Sequence, residues 1–173
     1  MGVQSSFGFT LGRMEKGKLN KITDVPGVRV GHVTRHEGDI NTGVTAILPH
    51  TGDMFHDKCP AASHVINGFG KSIGLVQVNE LGTIETPLLL TNTLSVGTAA
   101  TALVKYMLER NADIGCDTGT VNPMVFECND GHLNDIRGLH VTEQNALDAL
   151  ANAADDFEEG AVGAGSGMSC YSL

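Results

Sequence analysis

Residues 87–97, Pro-Leu-Leu-Leu-Thr-Asn-Thr-Leu-Ser-Val-Gly, constrain the fold of this chain more than any other stretch. An apolar run bounded by polar turn residues reads as a buried strand. From Val96 the apolar positions fall at Val96, Ala100, Leu103 and Met107, with Ala99 beside them. That is one face of a helix running to about Arg110. Thr93 or Ser95 suits its N-cap. Thr91, Asn92 and Thr93 therefore mark the change from a buried strand to a helix N-terminus. Backbone N–H groups there are unpaired and carry partial positive charge. Such a place suits an anion or a polarised carbonyl oxygen. The same spacing also fits a strand–helix turn with a polar cap, and the residues alone leave both readings open.

Upstream, the Pro26-Gly27 turn precedes an alternation of Val28, Val30 and His32 with Arg29, Gly31 and Val33, a strand pattern. Residues 42–48 read as a second strand closed by Pro49, antiparallel to the first and joined to it by a charged loop over 35–41. Residues 50–63 read as irregular loop, 61–66 as strand or helical turn, and 67–72 as a glycine-rich loop. Residues 73–78 read as a strand or helix start, and 120–127 as a strand interrupted near Pro123. Thr142 suits the N-cap of a second helix, with Glu143 in its first turn and Asn145 at its third position. Leu147, Leu150, Ala154 and Phe157 form its expected stripe. Glycines at 163, 165 and 167 suggest a strand packed closely on another backbone. Strands, helix, strand, helix and strand in this order imply an α/β or α+β layered domain. The expected division is a polar arm over 1–21 and one domain over 22–173. The final segment reads as a strand with no cap after it, so the domain is expected to continue elsewhere. Unpaired glycine-rich edges would make such a piece aggregate.

The net charge of −9 argues against a nucleic-acid or anionic-membrane partner. No apolar run approaches the length of a membrane span. Four scattered cysteines without a leader segment suggest a reducing, cytoplasmic setting. Gly70-Lys71-Ser72 ends like a phosphate loop, but Val65 stands where that loop needs glycine. His32 and His36 are four apart on a strand, roughly 13 Å, with no third ligand nearby. Residues 163–167 miss the dinucleotide-loop order, and Ser166, Ser169 and Ser172 sit in no Gly-x-Ser-x-Gly elbow. No metal or cofactor is expected. Glu80 and the Asn134-Asp135 pair lie in glycine-bounded loops, where both site residues and plain surface residues occur.

Several stretches, in one order, resemble a known family over almost the whole chain. They are residues 22–32 (Ile-Thr-Asp-Val-Pro-Gly-Val-Arg-Val-Gly-His), 42–49, 87–97, 130–136 (Asp-Gly-His-Leu-Asn-Asp-Ile), 140–142 and 159–168 (Glu-Gly-Ala-Val-Gly-Ala-Gly-Ser-Gly-Met). Together they resemble the L-aminopeptidase/D-esterase group, which includes the β-peptidyl aminopeptidases. The resemblance implies an αββα sandwich of the N-terminal-nucleophile type, incomplete in this chain. Such a precursor cuts its own backbone before a Ser or Thr, which then serves as nucleophile with its own α-amine as base. Small peptides, amides or esters with a free amino end would be the substrates. The resemblance places the nucleophile on a C-terminal (β) segment, so this chain alone is expected to be inactive. A homo-oligomer is the expected assembly. By the same resemblance, Glu80 would take the substrate ammonium. Asn92 and Asn134 would be supporting amide donors, and Thr91 and Thr93 would line the substrate. Ala161 departs from the family, which often has Asn there; if that amide serves an oxyanion hole, its loss costs on the order of 10²–10³ in rate. The alternatives are a non-catalytic structural or binding remnant, and part of an ornithine-acetyltransferase-like acyltransferase.

Overall fold

A computed structural model describes residues 12–169. Residues 12–21 contain no helix or strand, and the rest of the expected arm, with Cys170 and Ser172, lies outside the described residues. Lys21 anchors the end of this stretch by pairing with Asp156 at 2.6 Å.

The first two strands, β1 (Arg29–Glu37) and β2 (Ile40–Leu48), pair antiparallel in an unbroken register from Arg29↔Leu48 to Glu37↔Ile40. The charged loop expected over 35–41 is mostly strand. Gly38 takes φ +57°, so two residues suffice to turn the hairpin. Exposed strand needs no apolar alternation, which is why its sequence looks like loop.

Then come β3 (Cys59–Pro60), β4 (Ser72–Ile73), α1 (Leu75–Leu81), β5 (Thr83–Ile84) and β6 (Leu88–Thr91). After them stand α2 (Val96–Arg110), β7 (Met124–Glu127) and α3 (Glu143–Ala151). The main sheet has the order β1-β2-β6-β7-β4, and β3 pairs with β5 apart from it. Only β6 and β7 run parallel among its pairs. Residues 61–66 form neither strand nor helix, and residues 73–78 split between the end of β4 and α1.

Helices α2 and α3 cover one face of the sheet. Val44, Ala46, Leu48, Leu89 and Val125 meet Ala99, Leu103, Ala146 and Leu150 there. The expected α2 stripe is the buried one: Val96, Ala99, Ala100, Leu103 and Met107. Leu103 is 0% exposed, so Leu103→Ala should cost about 3 kcal/mol through lost transfer energy and a cavity, read as a shift in the denaturant midpoint. On the other face Met54, Val78, Ile84 and Met124 form a second cluster beneath α1 and the β3–β5 pair.

Ser95, one of the two expected caps of α2, is its N-cap, but its side chain makes no cap bond. Instead Asn92 accepts from Ser95 N and caps the 3₁₀ turn Thr93–Ser95 ahead of the helix. Thr142 and Asn145 do form a reciprocal capping box on α3. That helix ends at Ala151, so its expected stripe is too long. Ala154 instead exchanges backbone hydrogen bonds with Val30, and Phe157 packs beside His32.

Residues 163–167 are not a strand. Gly163–Gly165 is a 3₁₀ turn in a strap laid over β1 and β2. Its N–H groups go to side chains instead of a ladder: Gly163 N to Thr34 Oγ1 at 2.8 Å, and Ala164 N to Thr45 Oγ1 at 3.1 Å. The glycines permit the close approach. A Cβ on Gly167 would stand 1.9 Å from the Asn41 carbonyl oxygen, and one on Gly43 2.5 Å from that of Gly163.

Candidate functional site

The parallel strands β6 and β7 end in register, with Thr91 opposite Glu127. Ligand sites in open α/β sheets gather outside the carboxyl ends of parallel strands. Here those ends carry Thr91-Asn92-Thr93 on one side and Glu127 to Asp130 on the other. Cys128 N donates to Thr91 O at 2.7 Å and prolongs the ladder by one bond.

The strand–helix junction fixes each side chain. The Thr91 hydroxyl donates to Gly43 O at 3.1 Å. Asn92 is 1% exposed. Its Oδ1 accepts from Ser95 N at 3.0 Å, so Nδ2 is the end that donates to Thr42 Oγ1 at 2.9 Å. One hydrogen of that amide remains. Thr93 is half-buried, and its hydroxyl oxygen is buried without a partner among the described residues.

Asn134 approaches from the turn after β7. Its Oδ1 accepts from Asn41 N at 2.9 Å, and its Nδ2 is buried with no partner among the described residues. Asp130, in the same turn, is fully buried, and neither of its oxygens reaches a hydrogen bond. Burial pushes its carboxyl above the usual carboxylate range, and the neighbouring Thr42 and Asn134 side chains pull the other way. Burial also raises the Cys128 thiol, helped by the charges of Asp130 and Glu127.

The structure thus brings Thr91, Asn92, Thr93 and Asn134 to one end of the sheet. Glu80 is placed differently from the loop position expected for it. It lies in the last turn of α1, exposed, with no hydrogen bond or ion pair described for it. Two residues of the site escape sequence reasoning, Thr42 and Asp130. An Asp in an Asn-Asp-Gly turn reads as surface, and only the tertiary position of the turn buries it. Beside the site, a cleft is lined by His64, Val65, Lys71, Leu75, Phe126 and Glu127. No group of His, Cys, Asp or Glu among the described residues could hold a metal ion. No helix among them is long and apolar enough to cross a membrane.

The strap reaches the site through Asn41, which also donates Nδ2–H to Leu133 O at 2.8 Å. Ala161 is exposed on this strap. Glu158 O can only accept, so His32 Nε2 carries the proton of their 3.1 Å hydrogen bond. Burial favours the neutral ring, whose Nδ1 then accepts from the Thr45 hydroxyl at 2.9 Å. Burial lowers its pKa, and Glu158 opposes that. A histidine with a lowered folded pKa contributes its full stability above the unfolded value of about 6.5 and loses it as pH falls below. Amide exchange at Ala164, corrected for its intrinsic pH dependence, should therefore speed up between pH 7.5 and 5. In His32→Gln that acceleration should be absent.

Comparison with known proteins agrees with this architecture. The model of peptidase family S58 matches residues 20–173. A β-peptidyl aminopeptidase, BapA, of Sphingosinicella microcystinivorans is 39% identical over 165 residues, covering 90% of this chain and 40% of that protein. The PH0078 protein of Pyrococcus horikoshii OT3 superposes with a TM-score of 0.93 at 54% identity, covering 96% of this chain and 50% of that one. The L-aminopeptidase D-Ala-esterase/amidase of Ochrobactrum anthropi, described as a new variant among the Ntn hydrolase fold, gives 0.83 at 36% identity, over 93% and 47%. The chain spans about half the length of these relatives. Its helix-covered sheet is the corresponding part of that fold, as the expected αββα class requires. On the family match and these likenesses, the chain belongs to peptidase family S58.

Proposed function

We propose that this chain supplies one wall of the active centre of a self-processing aminopeptidase or amidase, and that the attacking hydroxyl comes from further sequence. The observation carrying this reading is the buried polar cluster at the ends of β6 and β7. Asn134 Nδ2, Thr93 Oγ1, Ser95 Oγ and both Asp130 oxygens are buried there without partners among the described residues. Buried polar groups are nearly always satisfied, so such a concentration marks a place where another group docks. The span of about half the relatives' length supports a completing segment.

In this reading the Asn134 amide and the remaining hydrogen of Asn92 face the developing oxyanion or the self-cleavage bond. Thr91 and Thr93 line the substrate side, and Glu80 receives the substrate ammonium once α1 is covered. Substrates are small peptides, amides or esters with a free amino end, and the working form is a homo-oligomer. Residues 1–21 lie outside the catalytic domain. Its expected setting is the cytoplasm. The non-catalytic alternative rests on Ala161 and on the span of about half the relatives' length.

Co-expression with a segment carrying the second half and its Ser or Thr tests the proposal. Hydrolysis of aminoacyl p-nitroanilides is expected from the pair and not from this chain alone. A longer precursor should split, with a new N-terminal Ser or Thr detectable by mass spectrometry. Turnover by these 173 residues alone, or an intact but inert pair, would overturn it.

A further inference from the structure

A cavity of about 310 Å³ lies where β1 begins and β2 ends. Pro87 is on its wall, so it sits at the opposite end of β6 from Thr91, roughly 13 Å of extended chain away. Arg29 opens β1 opposite Leu48, and paired residues share a face of the sheet. Leu48 packs toward α2, so Arg29 is carried to the same side, against the last turn of that helix. Tyr106, Met107 and Arg110 form that wall, and the loop after β2 forms the other. The volume is at the low end of the roughly 300–1,000 Å³ usual for small-molecule sites, so the occupant is compact.

Two permanently charged guanidinium groups line this cavity. Arg29 is half-buried; among the described residues it forms no ion pair, and its buried Nε has no hydrogen-bond partner. A desolvated donor on a cation is costly until an acceptor meets it. The end of α2 does not supply one. Met107 O is taken by Asn111, through its backbone N at 3.0 Å and its Nδ2 at 3.2 Å, and Tyr106 O by Arg110 Nη1 at 3.0 Å. Arg110 stacks 3.5 Å from the Tyr106 ring centroid, and its carboxylate neighbour Glu109 is 3.9 Å off and exposed, a weak pairing. Asp53 is the acid of the lining, with Oδ1 accepting from Phe55 N at 3.0 Å and Oδ2 3.9 Å from His56. His50 spends both ring nitrogens on its own loop, Nε2 on Asp57 O at 2.8 Å and Nδ1 on Gly52 N at 2.9 Å. Two fixed positive charges against one carboxylate make this recess positive in a chain whose net charge is −9.

We propose that this cavity binds a compact oxyanion, a phosphate or a small carboxylate, with Arg29 and Arg110 as its charged donors. Guanidinium forks match the paired oxygens of such groups, and the Arg29 donor has no other claim on it. The site does not depend on the peptidase function proposed above.

Calorimetric titration of the full-length gene product in chloride buffer at constant ionic strength tests this without any peptidase activity. Inorganic phosphate and acetate are titrated separately, and the tighter of the two identifies the class of oxyanion. One saturable site per chain is expected. Arg29→Gln and Arg110→Gln should each weaken binding by about tenfold or more. Asp53→Asn keeps the acceptor for Phe55 N and removes the opposing charge, so it should tighten binding by about threefold. Should Arg29→Gln fail to fold, the half-exposed Arg110 and Asp53 still give opposite and readable signs. Binding of neither anion would overturn the proposal, as it would if a carboxylate of the protein's own filled the cavity. So would affinities unchanged in Arg110→Gln and Asp53→Asn.

Discussion

Lys58→Met should destabilise the chain by about 3 kcal/mol at neutral pH, and Lys58→Met/Glu85→Gln should restore most of that loss. Glu85 is a buried carboxylate, its side chain 6% exposed, beneath the β3–β5 pair. Lys58 Nζ reaches its Oε2 at 2.6 Å, and Asn122 N donates to its Oε1 at 2.8 Å. Burial raises this carboxyl, but Lys58, Asn122 and Gln77 outweigh it and hold it below the ordinary range. Removing the lysine leaves a desolvated charge behind, which costs more than the pair contributes. The loss falls at the low end of the range because the Lys58 side chain keeps 38% of its exposure. Lys58 also donates to Phe55 O and sits 4.5 Å from the Phe55 ring centroid, contacts that Met retains only in their apolar part. The pH dependence has a definite sign. A carboxylate whose folded pKa is lowered contributes stability above its unfolded value, near 4.5, and loses it as pH falls through the folded one. The gap between wild type and Lys58→Met in urea midpoint should therefore be widest at neutral pH and narrow below about pH 4.5. A gap that stayed constant to pH 3 would mean Glu85 is not the group responsible.

The helices and the central strands were legible because their periodicity is strong. Val96 to Met107 keeps one apolar face for three turns, and the Leu-Leu-Leu run needs burial on both sides. The hairpin end of β1 and β2 was illegible for the opposite reason: its residues are exposed and charged, so only Gly38 in the left-handed region betrays the turn. At the strap, alternating glycine satisfies a strand pattern as well as a backbone that must pass within contact of Asn41 and Thr45. Of the site, the junction at Thr91-Asn92-Thr93 could be found from the switch of period. Asn134 stands out in the sequence only as half of a polar pair in a glycine-bounded loop, its role comes with the family resemblance, and the burial of Asp130 comes with neither. Its acid side chain, next to Gly131, carries the signature of a surface turn. The fact that overturns this signature is the docking of that turn against β2, through Asn41 N to Asn134 and Asp135 N to Asp39 O at 2.9 Å. Contacts over ninety residues of sequence leave no local trace.

Asn92 joins the fold to the chemistry, and its two ends can be separated by substitution. Asn92→Ala removes the acceptor for Ser95 N, the donor to Thr42 and the volume of a side chain that is 1% exposed. A lost cap costs about 1 kcal/mol and each orphaned buried group a further 1–3, so a total of about 3 kcal/mol is expected in chemical unfolding. Asn92→Asp keeps the acceptor and therefore the cap. It loses the donor and puts a carboxyl at a position that is 1% exposed. Burial disfavours the charged form, so this acid should keep its proton above the ordinary carboxylate range. Stability should then sit near wild type at pH 5 and fall away as pH rises. In the protein completed with its second half, both variants should lose activity by about 10²–10³, the usual effect of removing one oxyanion donor. The decisive measurement is Asn92→Asp at pH 5, where the fold is intact and only the amide hydrogens are gone. Activity there within about twofold of wild type would assign Asn92 to the strand–helix turn alone. A loss of two orders of magnitude there would place the amide in the reaction itself.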